Sequence, residues 1–174
     1  MTSIKALASK KVLVLKLNAS LYDAARAMDD KSVGSALVSD GKGHIVGLIT
    51  DRDIACRGVG AKYSAADKIG NLISRDLIFI SENKTLSEAT QLMREFGIRR
   101  LPVIKSSSGG KNKCVGILTF DDLVFSGVVS NDDLAEIIRS QFPSSRKKVA
   151  KTLKLKNKIT LDFLPKELHP IMAP

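Results

Sequence analysis

Gly47-Leu48-Ile49-Thr50-Asp51-Arg52-Asp53 and Gly116-Ile117-Leu118-Thr119-Phe120-Asp121-Asp122 share one pattern. Each has a Gly, two large aliphatics, a Thr and an Asp three positions later. The pattern predicts a buried strand running straight into a helix. Two chemistries suit it. A Thr N-cap and an acidic N3 residue make a capping box. The same residues facing a cleft suit a nucleotide. A helix start offers free N–H groups and partial positive charge to phosphate. A carboxylate one turn in accepts ribose hydroxyls. A single copy favours capping alone, and the second copy strengthens the nucleotide reading.

Working outward, the two stretches belong to a longer internal repeat. At an offset of 65, Ile4, Ser9, Asn18, Leu21, Ala24, Met28 and Val38 meet Ile69, Ser74, Asn83, Leu86, Ala89, Met93 and Val103. The offset becomes 69 after the loop Ser106–Asn112, which is four residues longer than its counterpart. Each unit predicts a short helical turn (Ile4–Ala8; Ala66–Ile73) and a brief strand (Val12–Leu17; Leu77–Ile80). A helix follows. Ser20…Asp23 and Thr85…Glu88 are capping boxes at its start. Leu21, Ala24, Ala25 and Met28, and again Leu86, Ala89, Leu92, Met93 and Phe96, continue it at helical spacing. Gly97 closes the second copy. Strands over Ser35–Ser39 and Leu101–Ile104 precede a turn, strands over His44–Ile49 and Lys113–Leu118, and helices over Arg52–Gly58 and Asp121–Val129. The order is β-α-β-β-α, twice.

On these features the chain resembles a tandem pair of CBS domains (cystathionine β-synthase domains), a Bateman module. The β-α-β-β-α order, the doubled Gly-aliphatic-aliphatic-Thr-x-x-Asp stretch and Arg99-Arg100-Leu101-Pro102-Val103 carry the resemblance, which covers about residues 4–127. It implies an α+β fold of two repeats packed in pseudo-two-fold symmetry, with a C-terminal helix and a basic tail. The expected division is 1–65, 66–129, 130–145 and 146–174. It also implies clefts between the repeats for adenosine-containing ligands: AMP, ADP, ATP, NADH or S-adenosylmethionine. By position, Thr50 and Thr119 meet phosphate, and Asp53 and Asp122 hold ribose. Arg99 or Arg100 neutralises phosphate, as a guanidinium fork can. Leu13, Ala36, Ile78 and Leu101 flank adenine, although core packing explains those four equally well. Repeat 1 has Val33-Gly34-Ser35 where repeat 2 has Ile98-Arg99-Arg100, so the two sites are expected to differ.

The 174 residues carry a net charge of +10, unevenly spread. Residues 1–11 contribute +3, residues 12–145 contribute +1 (17 bases, 16 acids), and residues 146–174 contribute +6 (eight bases, two acids). Attraction to polyanions therefore belongs to the tail. From Leu153 its apolar residues alternate, as in a strand or a hairpin about Asn157-Lys158; a helix over Lys147–Lys156 stays open. The tail could touch nucleic acid or an acidic membrane. No aromatic residues interleave with its lysines, which favours packing of its apolar side on protein instead. Before it, Ser130–Gln141 predicts a helix capped by Asn131 or Asp132, with Leu134, Ile137 and Ile138 as its apolar face, and Pro143-Ser144-Ser145 breaks the chain.

Cys56 and Cys114 form no CxxC pair and read as reduced, packed thiols. His44 and His169 lack companions at ligand spacing, so no metal is expected. No signal peptide or transmembrane helix is read, and a cytoplasmic protein is expected by default. No nucleophile–base pair stands out, which argues against an enzyme. The expected function is a non-catalytic nucleotide sensor, acting through a homodimer or an unknown effector protein.

Overall fold

A computed structural model describes residues 3–106, 112–142 and 159–160. The loop at 107–111, the break at Pro143 and most of the tail, including the helix reading there and all of the strand reading but Ile159–Thr160, lie outside the described residues.

The elements run α1 (Ile4–Leu7), β1 (Val14–Lys16), α2 (Leu21–Asp30), β2 (Ser35–Ser39), β3 (Ile45–Thr50) and α3 (Asp51–Asp53). The helix begun by α3 widens to π geometry over Ile54–Gly58 and tightens to a 3₁₀ turn over Val59–Ala61. After a 3₁₀ turn at Ile69–Asn71 come β4 (Ile80–Ser81), α4 (Leu86–Phe96), β5 (Arg100–Ser106), β6 (Asn112–Thr119), α5 (Phe120–Ser126), α6 (Asn131–Ser140) and a short β7 (Ile159–Thr160).

Local chemistry sets these boundaries. Ser20 and Thr85 make the expected capping boxes on α2 and α4. Gly97 ends α4 in the left-handed region at φ 60°, where a Cβ would be strained. On α2, Leu21, Ala24, Ala27 and Met28 are buried, whereas Ala25 faces outward. β1 pairs parallel with β2, and β4 with β5. A parallel pair needs a crossover, which α2 and α4 supply. β2 then pairs antiparallel with β3, and β5 with β6, each with a register break at an equivalent place, after Val38 and after Val103.

The first strands are shorter than hydrophobicity suggests. Val12 is buried without joining the ladder, because burial and strand pairing are separate demands.

By contact the chain forms two compact units, each of which takes the lead segment of one repeat with the body of the other. One joins Met1–Lys11 to Ile78 and the elements that follow it through α6; the other holds Val12–Leu77. The lead segments explain this. Ser9 exchanges backbone hydrogen bonds with Ile117 (2.9 and 3.0 Å), and Ser74 does so with Leu48 (3.0 and 2.8 Å). Each lead segment thus lies along the last strand of the other repeat. The doubled Gly permits that approach. A Cβ on Gly47 would meet Ile73 Cδ1 at 2.6 Å and the Ser74 carbonyl at 2.9 Å; on Gly116 it would meet the Ser9 carbonyl at 3.0 Å.

Each unit has its own apolar core. One includes Leu15, Leu21, Met28, Val38, Ile49 and Ile69. The other includes Ile4, Met93, Val103, Leu118, Leu123 and Ile137. Ile137 comes from α6, which packs on α4 and α5. The cap of α6 is Ser130, whose Oγ accepts from the Asp133 amide, rather than Asn131 or Asp132. Its inward face holds Ile137 and Leu134, while Ile138 is half-exposed. Cys114 is a packed thiol as expected, but Cys56 is exposed; both are free.

Candidate functional site

Each repeat brings its predicted residues to one end of its own sheet. In repeat 1, Ser35 lies opposite Thr50 and Ala36 opposite Ile49, and the Leu37 amide donates to the Leu13 carbonyl at 2.9 Å. In repeat 2, Arg100 lies opposite Thr119 and Leu101 opposite Leu118. Carrying the Ile80–Val103 register back two residues places Ile78 across from Leu101. The strand ends thus gather Leu13, Ala36, Thr50 and Asp53 in one unit and Ile78, Arg100, Leu101, Thr119 and Asp122 in the other. Ala36 and Leu101 are fully buried in their cores, whereas Ile78 is half-buried.

Both capping boxes are complete. The Thr50 hydroxyl donates to Asp53 Oδ2 at 2.8 Å, the Thr50 amide donates to the same oxygen at 3.0 Å, and the Asp53 amide returns to Thr50 Oγ1 at 3.1 Å. Thr119 and Asp122 repeat this at 2.7, 2.7 and 3.1 Å. In each case Oδ2 does the capping and Oδ1 is left for other work.

The two repeats use Oδ1 differently. Asp53 Oδ1 accepts from Arg57 Nη1 at 3.0 Å. Arg57 also reaches the Ser74 hydroxyl and the Ile73 carbonyl, both at 3.5 Å. Asp122 Oδ1 has no such partner among the described residues. The next helix amide differs in the same sense. The Arg52 N–H donates to Asp51 Oδ1 at 2.7 Å, whereas Phe120 stands in the place of Asp51 and gives the Asp121 N–H no side-chain acceptor. Repeat 1 is satisfied internally; repeat 2 keeps a carboxylate oxygen and an amide available.

The two arginines also separate. Arg99 is exposed, with its guanidinium 5.4 Å from the Phe120 ring centroid, a cation–π arrangement. Arg100 is half-buried in β5, directly across from Thr119. The pseudo-equivalent residue opposite Thr50 is Ser35, which has no charge.

Arg57 lies outside the repeated Thr-x-x-Asp motif. Its i,i+4 spacing from Asp53 was the available signal. That spacing is common on exposed helices and does not mark a site by itself.

The CBS domain family model matches residues 4–57 and 69–129, the two repeats. The chain belongs to the CBS-domain family. Among relatives, YlbB of Bacillus subtilis, itself uncharacterized, is 33% identical over 127 residues, covering 72% of this chain and 82% of YlbB. The crystal structure of a conserved protein of Pyrococcus horikoshii is 29% identical with a TM-score of 0.65, covering 74% of this chain and 94% of that one. The CBS domain pair of protein MJ0100, solved with 5′-methylthioadenosine and S-adenosyl-L-methionine, is 25% identical with a TM-score of 0.61, covering 73% and 98%.

Among the described residues of this CBS pair, no group of three or more His, Cys, Asp or Glu could hold a metal. No described helix is long and apolar enough to cross a membrane.

Proposed function

We propose that this CBS pair is a non-catalytic regulatory module that binds an adenosine-containing ligand (AMP, ADP, ATP, NADH or S-adenosylmethionine), principally at repeat 2. The observation that carries this reading is the contrast at the capping aspartates. Asp122 has an open Oδ1 beside a cationic strand residue, while Asp53 is engaged by Arg57. In this reading Asp122 Oδ1 accepts from the ribose hydroxyls, and Thr119 and the Asp121 amide meet phosphate or its equivalent. Arg100 supplies charge, Arg99 backs it from the Phe120 ring, and Ile78 flanks adenine with Leu101 behind it. In repeat 1 the parallel set is Thr50, Asp53, Leu13 and Ala36, and a ligand there must first displace Arg57. The MJ0100 complex supports the ligand class.

Regulation requires a ligand with different affinities for two states of the protein. The output passes to a second copy in a homodimer or to an effector protein, in the cytoplasm.

The test is a thermal-shift panel with the five ligands on wild type, Asp53→Ala and Asp122→Ala. A ligand present at 100 times its Kd adds about 2.7 kcal/mol to a folded state that alone binds it. That is roughly 5–20 °C for domains of this size range. The expected result is a shift with one ligand that is lost in Asp122→Ala and kept in Asp53→Ala. Absence of any shift across the panel would leave both Thr/Asp pairs as helix caps.

A further inference from the structure

The two repeats finish their helical faces differently. In repeat 2, α6 lies on α4 and α5 and buries Ile137 in a cluster with Met93, Phe120 and Leu123. By the internal repeat, these three correspond to Met28, Asp51 and Ile54. Within repeat 1, those residues line a groove of about 540 Å³, together with Ala25, Asp29 and Val59. Asp51 in place of Phe120 and Ala25 in place of Thr90 bring less side-chain volume, so the space between the helices stays unfilled. Ala25 and Val59 are exposed along it, Val59 to 69%. Apolar surface shared by two neighbouring helices, as α6 covers it in repeat 2, suits a third helix laid along it.

Charge narrows the choice of helix. Asp29 and Asp51 are exposed in the lining of the groove, and no Lys or Arg lines it. Arg26, three residues before Asp29, is paired with Asp30 at 3.2 Å. Among the described residues, neither Asp29 nor Asp51 is in an ion pair. Repeat 2 has Arg94 in the place of Asp29, and its covering helix is acidic, with Asp132, Asp133 and Glu136 against Arg139. In repeat 1 the sign of the face is reversed. The complement of such a groove is a helix with an apolar stripe flanked by Lys or Arg.

We propose that the groove between α2 and the helix begun by α3 is the docking site for a basic amphipathic helix of a partner protein. The apolar side chains of that helix seat over Ala25, Met28 and Ile54 and against Val59. Its Lys or Arg side chains pair with Asp29 and Asp51. The proposal gives the effector of the function proposed above its chemistry, and it rests on that reading only for there being an effector. Docking itself requires no nucleotide.

The probe is a helical peptide with Leu at i, i+3, i+4 and i+7 and Lys on the flanks, matched by a second peptide in which Glu replaces each Lys. Each is titrated into the isotope-labelled full-length chain without nucleotide, and amide shifts are followed by NMR. The amides of α2 and of Asp51–Val59 are expected to move, with the Lys peptide binding tighter than the Glu peptide by about tenfold or more. Asp29→Lys/Asp51→Asn should remove that preference, and Ala25→Trp, which fills the groove, should abolish binding. Asp132→Lys/Glu136→Lys, which takes even more negative charge off α6, should leave binding unchanged. Shifts confined to α5 and α6, equal binding of the two peptides, binding that survives Asp29→Lys/Asp51→Asn, or no binding overturns the proposal. So does a dimer in sedimentation that Ala25→Trp converts to a monomer, since a second copy is then the occupant. The thermal-shift panel reads the nucleotide separately. Docking without any nucleotide shift would sink the nucleotide reading alone, and a nucleotide shift without docking would sink this proposal alone.

Discussion

Asp53 and Asp122 are the same residue in the same cap, and one guanidinium separates their prospects. Arg57 sits one turn after Asp53 and takes its outward oxygen; the corresponding position after Asp122 is Ser126, whose hydroxyl donates instead to the Leu123 carbonyl at 2.7 Å. Replacing Arg57 by Ala should therefore free Asp53. Calorimetric titration with whichever ligand the thermal-shift panel selects is expected to show binding at a second site in Arg57→Ala. Stability should change by less than about 1 kcal/mol, because the Arg57–Asp53 pair is only partly buried and exposed pairs contribute little. An unchanged stoichiometry would remove Arg57 as the reason for the asymmetry. The doubled glycine is also a residue-scale matter. Gly47→Ala should cost about 1–3 kcal/mol, as overpacking does, and more than Gly116→Ala, because its Cβ would meet two atoms below 3.0 Å. Urea denaturation of the two variants checks the order.

At the scale of elements, the caps decide where helices start, and some of them titrate. The Lys84 ammonium beside Glu88, with the Thr85 amide and hydroxyl, holds the Glu88 carboxyl down to about 2. The His44 ring and two backbone amides hold Asp40 down to about 2. Both folded-state values lie below the unfolded ones, near 4.5 and 3.8. Their stabilisation is thus present above about pH 4.5 and is lost as pH falls toward 2. Urea midpoints measured from pH 6 to pH 2 should fall through that window, and Glu88→Gln should flatten part of the fall. Removing the cap directly, as Thr85→Ala, should cost about 1 kcal/mol at neutral pH. The helix begun by α3 differs from α5 in its π stretch, Ile54–Gly58. The apolar spacing predicts ordinary helices at both places, because local propensity carries no signal for one inserted residue in a turn.

For the whole molecule, the exchange of lead segments has a consequence that can be measured with the two thiols. Ile4 is fully buried in the core that holds Met93 and Leu118, and Ser9 bonds to β6, the strand of Cys114. Burial pushes the Cys114 thiol up from its ordinary value, so it should label slowly, while exposed Cys56 labels fast. Deleting residues 1–11 should accelerate labelling of Cys114 and leave Cys56 unchanged. Equal acceleration at both would mean that the first residues do not belong selectively to the second repeat.

Much of this was legible in the sequence. The β-α-β-β-α order, both capping boxes at the Thr/Asp pairs, Gly97 as a helix stop and the helix before the tail follow from spacing and local chemistry. Such features depend on residues within one or two turns of each other. The Thr/Asp pairs at the strand–helix junctions were legible too, since the motif carries them, whereas Arg57 was not. What became of those residues depended on contacts far apart in the chain. Only the tertiary structure set Arg100 across from Thr119, put Arg99 on Phe120, ran Ser9 along β6 and Ser74 along β3, and covered one helical face with α6. Each of these is a pairing between segments whose separate sequences are compatible with many partners. Periodicity reports which side of an element is apolar; packing alone chooses what lies against it.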